Sequence, residues 1–336
     1  MICKLEGTAV PDPLLIHVMA TREMNQVGEA FARWKLNEKA PLPEVGQKVS
    51  LERSSEGGQT LWQGVVVAYG VENDDEGGRV WVKALEPTAV LLDWSVNRFF
   101  TKTKFDQVIT QLLKESHIKH NGFPIKHKVT QWNLSESCLF QWMARWSHFL
   151  GVGFQWDSSQ ESLFFADLHE SASSGSSGKS KDLGMDGFEL YWKENLAHYV
   201  EQIQLMGSDS VSLEKGNTSS NIDTNDFYGK KKPPKGPQVK WHGSFPFDLS
   251  QYKESLTRWH RSANRESRTV SWSAFLEKKS EVTKLLTPLE VHYPNAHFGG
   301  LVLPYKVSHR FDDTGFELEQ VDAQVLKYQE HIFRMG

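Results

Sequence analysis

Cysteine is almost missing from this chain: its 336 residues include two, Cys3 and Cys138, and no CxxC pair. A disulfide framework and a thiolate zinc site are thereby excluded. Long hydrophobic runs are missing as well. Stretches such as Val65–Tyr69 and Ala89–Leu92 fall far short of the ~20 apolar residues that a bilayer crossing takes. The opening Met-Ile-Cys-Lys-Leu-Glu lacks the apolar core of a signal peptide. The expectation is a folded, soluble protein made in the cytoplasm, with no membrane insertion. Charge of one sign is also lacking: 38 Lys+Arg stand against 42 Asp+Glu, a net of −4. Residues 1–170 hold 17 basic and 21 acidic side chains, and residues 171–336 hold 21 of each. Neither half can act as a basic nucleic-acid arm, so sequence-specific nucleic acid is not an expected partner.

What is present is an ordinary globular composition, 39% hydrophobic and 24% charged, in a chain longer than the ~250–300 residues at which single cores stop growing. More than one packed unit is expected. Residues 1–92 read as β-structure. Lys48–Glu52 alternates, Leu61–Val71 is a longer run in which Gly64 suggests a bulge or tight bend, Asn73–Gly78 is a turn, and Arg79–Leu85 resumes the alternation. This is the pattern of a small sandwich or barrel.

From Phe99 the period changes. Phe105, Val108, Ile109, Leu112 and Leu113 share one helix face, behind a capping box read at Thr103 and Asp106. Lys126–Trp132 reads as a strand, and Asn133 with Glu136 reads as a second capping box. The second helix carries Leu139, Trp142, Met143, Trp146, Phe149 and Leu150, with Gly151 and Gly153 at its end. Phe154–Trp156 and Ser162–Asp167 pair as a hairpin. Residues 169–181 read as a flexible linker, and Gly207–Gln238 as a second polar stretch. A third helix is expected near 250–265, with Tyr252, Leu256, Trp259 and Ala263 inward. Strands resume at Arg268–Phe275, Leu289–Tyr293, Leu301–Phe311 and Gly315–Val325. The fold class is therefore mainly β with an α+β insert: a first small β-barrel at 1–92, an α+β domain at 93–168, and a second, loop-interrupted barrel at 169–336.

The motifs that could carry chemistry are near misses. Gly175–Ser180 resembles the end of a phosphate-binding loop, but the spacing demands glycine where Ser173 stands. His169-Glu170 begins like a zinc-protease helix, but Ser173 replaces the second histidine. Asp223-Thr-Asn225-Asp226 begins like a calcium loop, and Phe227 fills a ligand position. His117 and His120 mark a helix end, His292 and His297 flank a turn, and His309 shares a strand face with Tyr305, Val307 and Phe311. Spacing supplies no third metal ligand for any of them. Asp312/Asp313 belong to a hairpin turn, and Glu317/Glu319 read as the outward face of a strand, not as a hydrolytic pair. No catalytic residue, cofactor or metal is expected. The 12 tryptophans could stack on sugars or bases. Trp142, Trp146 and Trp259 lie on apolar helix faces, however, and Trp34, Trp62 and Trp81 lie in strands that leave either use open.

Several segments carry a family resemblance. Gly46-Gln-Lys-Val-Ser-Leu51, Leu61-Trp-Gln-Gly-Val-Val-Val67 and Val80-Trp-Val-Lys-Ala-Leu-Glu-Pro87 resemble the first barrel of contractile-injection-system hub proteins. That family comprises the phage late control D and Mu-type tail hubs and the N-terminal hub region of type VI secretion VgrG spike proteins. Phe99–Leu113 is similar to the family's next strand and helix. Gln131-Trp-Asn-Leu-Ser-Glu136, Leu139-Phe140, Met143-Ala-Arg145 and Gly151-Val-Gly-Phe154 resemble its most specific segment, and Glu161–Asp167 its closing strand. Beyond 168 the likeness thins to the Tyr252–Arg268 helix and the Tyr305–Phe311, Gly315–Val325 hairpin.

The resemblance implies a structural, non-enzymatic job. Such hubs form homotrimers in which each chain gives two barrels, and the pseudo-six-fold ring joins a tail tube protein to a central spike. The chain shows neither the OB-fold module nor the needle repeat of a full spike protein, so the resemblance implies a spike on a separate chain. It also implies a place in a virion tail, baseplate or injection particle. Trp62, Trp81, Tyr305, Val307 and Phe311 are the interface candidates, to be divided between core and contact. The Lys230–Lys235 cluster is a loop or a contact to tube or baseplate wedge proteins. The alternative is a monomeric cell-wall or carbohydrate-binding module, or a cell-wall hydrolase.

Overall fold

The structure, a computed structural model, describes residues 1–53, 59–74, 77–173, 180–183, 187–194, 202–206, 238–242, 247, 249–276, 281–293, 298–312 and 315–328. The first β unit comprises β1 (Ile2–Leu5), β2 (Thr8–Ala9), β3 (Leu15–Glu23), β4 (Glu29–Lys35), β5 (Lys48–Glu52), β6 (Thr60–Asp74) and β7 (Gly77–Leu85). A 3-10 turn at Pro87–Leu92 leads into β8 (Val96–Lys104), α1 (Phe105–Glu115), β9 (Lys128–Glu136), α2 (Leu139–Leu150), β10 (Val152–Asp157), β11 (Ser162–Asp167) and α3 (Leu168–Ser173). Then follow β12 (Ser180–Asp182), β13 (Gly187–Glu194), β14 (Gln202–Met206), β15 (Gln238–His242), α4 (Leu249–Glu266), β16 (Arg268–Phe275), β17 (Leu289–Tyr293), β18 (Phe298–Asp312) and β19 (Glu317–Tyr328). The mainly β class with an α+β insert is what the periodicities predict.

The way the β units join is not visible in the periodicities. One 13-stranded sheet runs β13-β16-β19-β18-β3-β4-β7-β6-β5-β1-β2, with β17 on β18 and β12 on β17. The seam is the antiparallel pairing of β3 with β18, from Lys306 opposite Glu23 to Asp312 opposite His17. A pairing of residues nearly 300 positions apart satisfies two backbone edges at once, and each would otherwise be open to intermolecular pairing. Alternation in β4 buries Ala30, Ala32 and Trp34, and in β7 Val80, Val82 and Ala84; together they form the first core. A second core, with Val270, Trp272, Val302, Val307 and Val321, lies under the later strands.

The insert has its own core around Phe105, whose ring lies 5.2 Å from Phe123, 5.8 Å from Trp132 and 5.9 Å from Trp142. All five predicted residues of the α1 stripe are buried. The caps differ from the sequence reading. The Gln107 carboxamide, not Asp106, accepts from the Lys104 N–H at 3.2 Å and the Thr103 hydroxyl at 3.0 Å. Asn133 and Glu136 lie within β9, because pairing with β8 from Val96 opposite Glu136 outweighs their capping tendency. Cys138 caps α2, its Sγ accepting from the Gln141 N–H at 3.5 Å. Gly151 ends α2 at φ 65°, where glycine avoids the Cβ penalty.

Gly64 is not itself a bulge: it sits in regular register opposite Val49 of β5. A Cβ there would stand 2.2 Å from the Trp62 ring and 2.3 Å from the Leu85 carbonyl. The bulge lies two residues on, between Val66 and Ala68. The expected linker at 169–181 begins as α3, whose first N–H groups at His169 and Glu170 are capped by the Asp167 carboxylate, and ends as β12. The Gly175–Ser180 motif falls largely outside the described residues, as do Asp223–Phe227, Lys230–Lys235 and His297.

Candidate assembly interface

Adjacent strands place their outward side chains in rows. His17, Arg33, Trp81 and Gly70 form one row, and Met19, Phe31 and Lys83 the next. Trp81 stacks on Phe31 at 6.4 Å, and Phe31 meets the His17 ring at 6.3 Å. The indole also covers Gly70, where a Cβ would come within 2.6 Å of its Nε1. Met19, next to Phe31 on that face, is exposed, whereas the exposed Tyr69 and Val71 pair with the inward Val82 and Val80 and lie on the other face. The outward face of β3, β4 and β7 therefore carries the Trp81–Phe31 pair with Met19 beside it.

The five sequence candidates divide. Trp62 and Val307 are fully buried and Phe311 is 8% exposed, all three within the two sheet cores. They hold the chain together and offer no surface to a partner. Trp81 and Tyr305 are half-buried at the surface. Tyr305 leaves the row of Val307, His309 and Phe311 because the register shifts between Pro304 and Lys306. Of the other tryptophans in strands, Trp34 is core.

Between the β units lies a buried chain of charge that the sequence reading missed. Glu319, read from the sequence as outward, is completely buried. It is ion-paired with Lys181 of β12 and accepts from the Thr283 N–H at 2.7 Å and its hydroxyl at 2.8 Å. His309 Nε2 lies 3.5 Å away. Burial by itself would raise the Glu319 carboxyl, but His309 and the Lys181 ammonium hold it down to about 2. Burial pushes the His309 imidazole below its ordinary value, against the pull of Glu319. The signal for this pairing was in the sequence: a hairpin closed at 312–315 sets His309 opposite Glu319, and an inward histidine calls for a partner.

On the first unit, Glu86 is buried at the end of β7, its Oε2 accepting from the Gly28 N–H at 2.9 Å. Burial raises its carboxyl to about 7, against the pull of Arg22 and the Gly28 hydrogen bond. Burial also draws the Arg22 guanidinium down, opposed by Glu86, Glu319 and Asp157. Arg22 of β3 thus stands in the field of carboxylates from both β units. His169, the near-miss zinc ligand, donates from Nε2 to the Arg258 carbonyl at 3.1 Å, and burial with Arg265 and Arg258 holds it at about 4. Among the described residues no group of His, Cys, Asp and Glu is arranged to hold a metal ion, and no helix is long and apolar enough to cross a membrane.

No family profile and no curated protein matches the chain. Solved structures do. The 43 kDa tail protein of prophage MuSo2 from Shewanella oneidensis superposes with a TM-score of 0.68 at 15% identity, over 96% of this chain and 97% of that one. A tail protein from Neisseria meningitidis MC58 gives 0.72 at 6% identity, over 96% and 95%. The E. coli c3393 protein, a component of the type VI secretion system with structural similarity to the T4 tail proteins gp27 and gp5, gives 0.62 at 13% identity, over 98% and 77%. At such identities the likeness speaks for the backbone plan alone, and it runs the length of the sheet and its insert. The chain has the fold of these phage tail proteins and of the type VI secretion component.

Proposed function

We propose that this protein is a non-enzymatic hub of a phage tail or related injection machine. Three copies close into a pseudo-six-fold ring that joins the tail tube protein to a spike on a separate chain. The supporting observation is the seam between β3 and β18. It fuses two β units of one chain side by side, so that three chains supply six units to a ring. The two ends of the sheet, β13 on one side and β1 with β2 on the other, are different strands. Contacts between them are head-to-tail, the geometry that closes a ring when the rotation permits. A permanent contact of this kind buries more than ~2,000 Å².

The test is the solution mass by light scattering or native mass spectrometry, with and without candidate tube and spike proteins. Three times the chain mass, with six-fold features by electron microscopy, is the expected result. A strict monomer under all these conditions removes the ring. Glycan binding by that monomer would then transfer the Trp81–Phe31 row to the carbohydrate-binding reading.

A further inference from the structure

The segment between α1 and β9 runs along the outer edge of β11. The Asn121 N–H donates to the Leu163 carbonyl at 3.2 Å, and the Leu163 N–H donates to the Lys119 carbonyl at 2.8 Å. One step further along β11 the Asn121 side chain takes over from the main chain. Its Nδ2 donates to the Phe165 carbonyl at 3.0 Å, and its Oδ1 accepts from the Phe165 N–H at 2.8 Å. The carboxamide thus stands in for a backbone unit, at a strand edge that would otherwise be open. Asn121 is exposed, and the flanking His120 and Gly122 are half-buried.

Asn121 and Gly122 form the one Asn-Gly step in the chain. Glycine leaves its own backbone nitrogen unhindered by a side chain, and it takes the φ of 98° found here without strain. Attack of that nitrogen on the preceding carboxamide needs a base for the N–H and a donor for the oxygen on which charge develops. Both are in place. The Gly122 N–H donates to His120 Nδ1 at 3.0 Å, so the imidazole already holds the proton that attack must remove. An ordinary histidine is mostly unprotonated at neutral pH, and burial lowers His120 further. Its ring is steadied edge-on to Phe165, with centroids 6.3 Å apart. The Phe165 N–H lies on Oδ1, where the tetrahedral intermediate carries its charge. One contact opposes the reaction, because the Nδ2 bond to the Phe165 carbonyl breaks as the amine leaves. A neutral hydrogen bond of that kind slows the step by about tenfold at most. A positioned base contributes about 10²–10⁴-fold, and one oxyanion donor about 10²–10³-fold. The balance favours reaction.

We propose that Asn121-Gly122 is a self-modification site, at which the Gly122 nitrogen attacks Asn121 Cγ with His120 as general base. The bond from the Gly122 nitrogen to Cγ forms and the bond from Cγ to Nδ2 breaks. The proton that His120 Nδ1 takes from Gly122 passes to Nδ2, which leaves as ammonia. Water then opens the succinimide to aspartate or isoaspartate. The new carboxylate faces the Phe165 carbonyl oxygen with no proton to offer it, so the edge of β11 reopens there. The chemistry belongs to a single chain and holds whatever that chain assembles into.

The experiment is peptide mass spectrometry of the full chain, stored at neutral pH and physiological temperature either folded in buffer or unfolded in guanidinium. The peptide that holds Asn121 is expected to lose one ammonia and then gain one water, at least about fivefold faster in the folded chain. His120→Gln keeps an acceptor for the Gly122 N–H but supplies no base. It should slow the folded reaction by about tenfold or more and leave the unfolded rate unchanged. Circular dichroism and the melting temperature check that the variant folds. If it does not, the folded and unfolded wild-type chains decide the matter, because the Asn-Gly step is the same in both and only the fold supplies the base and the oxyanion donor. A folded rate no higher than the unfolded one overturns the proposal. So does a folded His120→Gln chain that reacts as fast as the wild type.

Discussion

Glu86 offers the sharpest test of the buried charge between the β units. Its carboxyl is 3% exposed, its Oε2 is bonded to the Gly28 N–H, and its Oε1 has no partner. Gly28 leaves room for it: a Cβ there would lie 2.4 Å from the Glu86 carboxyl carbon. Because burial raises the folded value from 4.5 to about 7, the fold prefers the neutral acid. The sign follows. Below the unfolded value the carboxyl carries no penalty, and stability then declines as pH rises toward the folded value and levels off above it. At 1.36 kcal/mol per unit the full loss is about 3 kcal/mol, most of it between about pH 5 and pH 8. Glu86→Gln keeps the shape and an acceptor for Gly28 but cannot ionise. Urea unfolding from about pH 4 to about pH 8 should give nearly equal stabilities for both proteins near pH 4 and a variant about 3 kcal/mol more stable near pH 8. Comparing the two proteins cancels the histidines that titrate in the same window. Parallel curves would refute the assignment of a buried, proton-holding Glu86.

Glu319 carries the opposite sign. Its lowered value, about 2, contributes stability that is present above the unfolded value of ~4.3 and lost as pH falls through about 2. Glu319→Gln should cost about 3 kcal/mol near neutral pH, because the part-buried Lys181 loses its counter-charge and keeps only the Thr283 hydroxyl. In urea unfolding at a series of acid pH values the variant should also lose part of the acid slope, and an unchanged slope would argue against the pair. Gly64→Ala places a methyl against the Trp62 ring and the Leu85 carbonyl, which is backbone and cannot yield. The expected cost is about 2 to 3 kcal/mol in the denaturation midpoint, and a neutral result would mean that the strand shifts more easily than its packing suggests.

Residues near in sequence were legible, and residues joined from afar were not. The α1 and α2 stripes, β5, β16 and β17 match their periodicities because local spacing decides which side chains face a core. Glu319 was misread for the opposite reason. Its neighbours Phe316 and Leu318 are the apolar ones, so alternation alone turns the glutamates outward. Phe316 is instead 61% exposed, and Glu319 is buried because Lys181 and Thr283 reach it from other segments. Tyr305 and Val307 show the same limit: identical parity in the sequence is broken by a register shift that only pairing with β19 reveals.

The sequence by itself determined the class of the protein: strands, an α+β insert, strands again, and the motifs that resemble a tail hub. Local propensity and hydrophobic period carry that information at ranges of a few residues. The tertiary structure alone decided that the two β units are one sheet, and that Trp62, Val307 and Phe311 are core while Trp81 and Tyr305 reach the surface. These features depend on which edge meets which, and strand edges present the same backbone groups whatever the sequence. Only the packed fold, with its side chains in register across hundreds of residues, selects among them.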